Sequence, residues 1–190
     1  MTAFVLGNGI SRQGVDLTKL RQHGPIYGCN ALYREHVPDV LVATDRPIAT
    51  AIQESGYSAR HRFHTRRPMP GMGARAVPTQ YYGNSSGPIA CALAALDQHQ
   101  EIYLLGFDLG PCADQTFNNL YANTEFYKPS GSRATFTGNW IRQLTKITHD
   151  FATVKFCRVR GATTADIVEF SKILNFRHCD LDQFRQQFNC

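Results

Sequence analysis

The sequence predicts an α/β fold: one Rossmann-like domain over residues 1–190, with a mostly parallel sheet flanked by helices. Three observations lead there. Short apolar, β-branched runs alternate with segments of helical period, the pattern of βαβ units. Two glycine-containing turns each follow a run of strand character, Gly7-Asn8-Gly9 and Asn84-Ser85-Ser86-Gly87. The length of 190 residues is enough to bury a core within one domain.

Each element has a local reason. Ala3 to Leu6 is a short buried strand. Asp16 to Gln22 reads as a helix with Val15, Leu17 and Leu20 near one face. Ile26 to Cys29 and Val40 to Thr44 are the next strands, the latter preceded by the turn pair Pro38-Asp39. Pro47 to Glu54 is a helix with proline in its first turn and Gly56 as its stop. Arg62 to Thr65 reads as a strand, and Arg66 to Gly83, rich in proline and glycine, as a loop. Pro88 to Gln98 is a buried helix and Ile102 to Phe107 the strongest strand. Asn139 to His149 is amphipathic, with Trp140, Leu144 and Ile147 near one face. Val154 to Val159 closes the sheet, and Thr164 to Leu174 and Asp180 to Phe188 read as two short helices.

Composition narrows the function classes. No apolar run approaches the roughly 20 residues that span a bilayer, and no basic segment precedes an apolar one at the N-terminus. The expected location is the cytoplasm, that of the host if the chain is phage-encoded. Six cysteines lie at Cys29, Cys91, Cys112, Cys157, Cys179 and Cys190 without C-x-x-C or zinc spacing, so no metal site is expected. The net charge of +5 suits an anionic ligand. Much of the excess lies in Arg60, Arg62, Arg66, Arg67 and Arg75, which read as a solvated loop or a phosphate contact. Nucleic acid is a weakly supported partner, because no consecutive basic block occurs, and a homo-oligomer is left open.

Ligands of parallel sheets bind outside the carboxyl ends of the strands. Asn8, Asn30, Asp45 and Asp108 each follow a predicted strand. The Gly7-Asn8-Gly9 turn would let a ligand approach the backbone, and Gly9 is expected in a left-handed conformation. The full G-x-G-x-x-G fingerprint is absent, because Gln13 stands where its last glycine would be. Ser85, Ser86 and Gly87 open the buried helix, whose N–H groups suit an anion. Alternatives stay open at each point: Asn30, Ser85, Ser86 and Asp45 also fit plain helix caps, and Asn8 with Gly9 an ordinary turn. The polar stretch Gly110 to Gly138 is too long for a simple connection and reads as a lid carrying Asn118, Asn119, Tyr121 and Tyr127.

The blocks Val5 to Ser11, Tyr27 to Tyr33, Pro38 to Asp45, Ser85 to Ala94 and Glu101 to Asp108 together resemble two families. One is the bacterial sialyltransferases of glycosyltransferase family 42; the other is the archaeal type of 6-hydroxymethylpterin diphosphokinase. Short phage proteins share the pattern. The first resemblance implies a metal-independent glycosyltransferase with a CMP- or UDP-linked sugar donor. It implies that Gly7, Asn8, Gly9 and Asn30 contact the nucleotide, that Ser85 and Ser86 hold the sugar carboxylate, and that Tyr121 and Tyr127 hold the donor phosphate. It implies a histidine base, for which the chain offers His149 at the end of its amphipathic helix and His178. The second implies that Asp45 and Asp108 hold magnesium and a triphosphate. A phage structural or accessory protein that kept the fold without the chemistry is the third expectation.

Overall fold

A computed structural model describes residues 1–190. The strands are β1 (Thr2–Leu6), β2 (Ile26–Cys29), β3 (Val40–Val42), β4 (Phe63–Thr65), β5 (Arg75–Ala76), β6 (Glu101–Leu105), β7 (Lys155–Arg160) and β8 (Phe176–Asp180). The helices are α1 (Leu17–Leu20), α2 (Arg46–Glu54), α3 (Tyr57–Arg60), α4 (Ser86–Leu96), α5 (Gly138–Asp150) and α6 (Leu181–Phe188). All eight strands form one parallel sheet in the order β5-β4-β3-β2-β1-β6-β7-β8. The fold class is the one the sequence predicts. No helix is long and apolar enough to cross a membrane.

Burial on both faces explains the strand composition. A parallel sheet covered by helices on both sides selects continuous apolar runs. In β1, Ala3 and Val5 enter the core beneath α4, while Phe4 and Leu6 enter the core on the opposite face. Helix α4 is apolar around nearly its whole circumference, and it lies across β1, β2, β3 and β6. Helix α2 is amphipathic and buries only Ile48, Ala49, Ile52 and Gln53.

Two readings need correction. The segment expected as a helix from Thr164 to Leu174 holds only a 3-10 stretch, Val168–Lys172, and the edge strand β8 follows it. Strand β8 buries only Phe176 and leaves Arg177, His178 and Asp180 exposed, so it carries neither alternation nor an apolar run to read. The loop between β4 and α4 also contains β5, two exposed residues that extend the sheet beyond β4.

The order of connections sets the position of the site. The chain runs outward from β1 to β5, returns through α4 to β6 beside β1, and then runs the other way. The connections after β1 and β6 therefore diverge, and a crevice opens at their carboxyl ends.

Candidate functional site at the switch point

A cleft of about 300 Å³ occupies this crevice. The turns after β1 and β6 form its floor. They continue the ladder beyond the strands, with Gly7 N donating to Leu105 O and Gly9 N to Gly106 O, both at 2.8 Å. The glycines are required by proximity. A Cβ on Gly9 would lie 2.5 Å from Asp108 Cγ and 2.7 Å from Gly106 O, and one on Gly7 would lie 2.5 Å from Gly106 O. The expected left-handed conformation at Gly9 is not found, since its φ is −64°.

Four segments meet in the cleft: Gly7, Asn8 and Gly9, then Asn30, then Asp45, all from strand ends, and Ser85, Ser86 and Gly87 from the head of α4. Asp108 and Asn119 also line it. Their chemical states differ sharply. Asp108 is 3% exposed, and its carboxylate accepts from Ser11 N (3.0 Å), Ser11 Oγ, Thr163 Oγ1 (2.6 Å) and Thr164 Oγ1 (3.4 Å). Beneath it the fully buried Arg158 donates to the carbonyls of Phe107, Asp108 and Ala165 at 2.7–2.9 Å. Burial pulls that guanidinium down to about 10.

Asp45 is the opposite case. It ends the β3 connection at the N-cap of α2, but its side chain makes no capping bond, and it is exposed. Asn30 sits at φ +52°, and its buried Oδ1 has no hydrogen-bond partner. Buried polar atoms are nearly always satisfied, so this one lacks a partner that the rest of the chain does not supply. At the head of α4, Ser86 Oγ bonds Thr44 N and Thr44 Oγ1, both at 3.0 Å. Ser85 Oγ accepts from Trp140 Nε1 at 3.0 Å. Neither serine side chain caps the helix, and the N–H groups of Ser86 and Gly87 have no protein acceptor. Cys29 also lines the cleft, its thiol pushed up to about 12 by burial.

Strand periodicity did not reveal the other walls. Arg66, one of five arginines in its region, reaches the cleft from the end of β4, held by Tyr82 O (2.7 Å) and Asn84 O (2.8 Å). Trp140 reads as a core residue by helical spacing, yet it stands at the start of α5 and forms a cleft wall. Asn118 accepts from Ile10 N at 2.9 Å, which fixes the segment after β6 to the first turn.

The long segment from Gly110 to Gly138 packs down over the carboxyl ends of β1 and β2. Leu120 N donates to Asn8 O at 2.8 Å. Tyr121 does not line the cleft: its hydroxyl accepts from Arg12 Nη2 (2.8 Å) and donates to Glu35. Tyr127 is also turned inward, accepting from Asn8 Nδ2 (3.2 Å) and Ala31 N (3.3 Å). Burial raises the pKa of both phenols, so they are neutral braces. Asn119 Oδ1 accepts from Tyr121 N at 2.9 Å. His149 is not brought to the site. It is exposed near the end of α5, nine residues beyond Trp140 and so about 13 Å farther along the helix.

Comparison of the chain with protein-family models, with curated proteins and with solved structures finds no match. The functional reading therefore rests on the cleft.

Proposed function

We propose that the chain is a nucleotide-binding transferase, and specifically a glycosyltransferase with a CMP- or UDP-linked sugar donor. The observation that carries this is the convergence at the switch point of the orphaned Asn30 Oδ1, the free N–H groups of Ser86 and Gly87 and the uncommitted Asp45 carboxylate, beside an Arg66 that two carbonyls aim at the cleft and that forms no salt bridge. Asn30 offers an acceptor to a base or ribose donor. Arg66 and the head of α4 offer donors to phosphate, each charge-assisted bond contributing about 1.5–3 kcal/mol. Trp140 offers an apolar wall to a ring.

The chemistry follows from those positions. An acceptor hydroxyl oxygen forms a bond to the anomeric carbon while the bond from that carbon to the phosphate oxygen breaks. The bonding electrons leave with the nucleotide phosphate, whose charge Arg66 and the helix N–H groups stabilise. The hydroxyl proton passes to Asp45. A positioned base of this kind contributes roughly 10²–10⁴ in rate.

Magnesium-dependent diphosphate transfer fits the residues less well. A hydrated magnesium ion would take one or two free carboxylates. The Asp108 oxygens already accept four hydrogen bonds, which fills their lone pairs, and no group of three or more acidic, histidine or cysteine side chains is placed to hold a metal. No step is derived through the metal.

A thermal-shift screen against CMP, UDP, GDP and ATP, each with and without chelator, tests the reading. At about 100 times its dissociation constant a ligand adds roughly 2.7 kcal/mol of stability. The expected result is stabilisation by a pyrimidine nucleotide that chelator leaves unchanged. Stabilisation by none of the four would overturn the nucleotide reading and favour a structural protein. Stabilisation only by ATP, abolished by chelator, would favour diphosphate transfer.

A further inference from the structure

A second cavity adjoins the cleft. This groove of about 480 Å³ runs between one face of α2 from Arg46 to Gln53, the end of β4 and the Tyr82-Gly83 turn. Thr44, Asp45 and Arg66 line both cavities, so the two are continuous, and Asp45 stands on their boundary.

The charge in this groove is lopsided. Arg46, Arg66 and Arg67 line it with Asp45 as the sole carboxylate. None of the three guanidinium groups takes part in any of the chain's salt bridges. With Arg66 turned to the nucleotide phosphate at the shared boundary, Arg46 and Arg67 remain as two cations in the groove, which matches the dianion of a phosphate monoester near neutral pH.

The walls are fixed from beneath. Gln53 is 1% exposed and donates to Ala49 O (3.0 Å) and Arg67 O (3.4 Å) while accepting from Met69 N at 2.7 Å. This buried amide ties the loop after β4 to α2 and sets the width of the groove. Arg66 is held by two carbonyls as described above.

We infer that the groove binds a phosphate group on the second substrate, the acceptor, beside a nucleotide held in the main cleft. The acceptor is thus a phosphorylated molecule whose reacting hydroxyl lies next to Asp45. This inference rests on the nucleotide reading of the cleft for its second half only; the anion site in the groove stands separately.

The test uses inorganic phosphate as the probe and NMR of the arginine Nε–H groups as the readout. Phosphate is titrated into the full chain with and without saturating CMP, and again into the variant Arg46→Ala/Arg67→Ala. Both residues are exposed and make no side-chain hydrogen bond, so the rest of the spectrum should persist and reports an intact fold. The expected result is saturable phosphate binding alongside CMP, weakened about tenfold or more in the double variant, with CMP affinity unchanged within about twofold. Displacement of phosphate by CMP would place the anion in the main cleft and overturn the proposal. Equal phosphate binding by the double variant would also overturn it. If CMP does not bind, the nucleotide reading fails, and the titration without CMP still decides the groove by the same comparison of wild type with double variant.

Discussion

The two aspartates of the cleft face one cavity, yet they live in opposite chemical worlds. Asp108 is buried and saturated by Ser11, Thr163 and Thr164, with Arg158 clamped to the carbonyls around it. Asp45 is exposed, caps nothing and pairs with nothing. The division extends to part of the cleft, although Ser85, Ser86 and Arg66 on the second side also have partners. The β6 and β7 side consumes its polar groups internally. The β2, β3, β4 and α4 side leaves Asn30, Asp45 and the first N–H groups of α4 available. A polar residue at a strand end is therefore not yet a functional residue; what matters is whether the fold has already used it.

Removing a saturated group should cost stability, and removing an available one should cost function. The largest expected effect is at Asp108. Asp108→Ala strips acceptors from two hydroxyl-bearing segments and a backbone N–H in a buried setting, and should cost on the order of 3–5 kcal/mol in a denaturant melt. A loss under about 1 kcal/mol would collapse the distinction between the two sides.

Asp45→Asn is the counterpart. Its stability should stay within about 0.5 kcal/mol of wild type, as for an ordinary surface substitution, and its nucleotide affinity should hold. Transfer to an acceptor should fall by roughly 10²–10⁴ in kcat. Full activity in this variant would remove Asp45 from the chemistry.

Gly9→Val lies between these. The new side chain meets Asp108 and the Gly106 carbonyl at once, so both fold and cleft suffer. Overpacking of this kind should lower stability by about 1–3 kcal/mol and abolish nucleotide binding. A Gly9→Val protein that keeps wild-type stability and binding would show that the two turns separate easily, contrary to their mutual hydrogen bonds.

Tyr127→Phe should have a smaller effect. The hydroxyl holds Asn8 and Ala31 N, so its loss should cost about 1 kcal/mol of stability, with nucleotide affinity reduced only a few-fold. A direct phosphate ligand would instead lose tenfold or more, and a calorimetric titration separates the cases. His149→Ala, remote from the cleft, should change neither stability nor transfer measurably.

The available side of the cleft was largely legible in the sequence, because its residues follow strands directly. Asn30 and Asp45 stand at strand ends, and Ser85 to Gly87 open the most apolar helix. What the sequence hid was partnership. Nothing in the run Gly106-Phe107-Asp108 tells that Ser11, Thr163 and Thr164 fold back onto its carboxylate. Arg66 was indistinguishable among its neighbouring arginines, because its aim is set by the carbonyls of Tyr82 and Asn84 sixteen and eighteen residues away. Trp140 matched the apolar face of an amphipathic helix, and periodicity cannot tell a core wall from a cleft wall. The aromatics of the long segment from Gly110 to Gly138 stood out in the sequence, but not that Tyr121 and Tyr127 would turn inward to brace it.

Asn30 gives the most direct test of the central claim that the unpaired half of the cleft is built for a ligand. Its backbone is left-handed, so glycine fits there without strain, and Asn30→Gly removes only the side chain with its orphaned Oδ1. Calorimetric titration of CMP, paired with a thermal melt of the same protein, reads both consequences. The expected result is a stability within about 1 kcal/mol of wild type, since relief of the unsatisfied acceptor offsets the added chain entropy, together with a CMP affinity at least about tenfold weaker. An Asn30→Gly protein that binds CMP as tightly as wild type, or a wild type that does not bind CMP, UDP, GDP or ATP, would contradict the account.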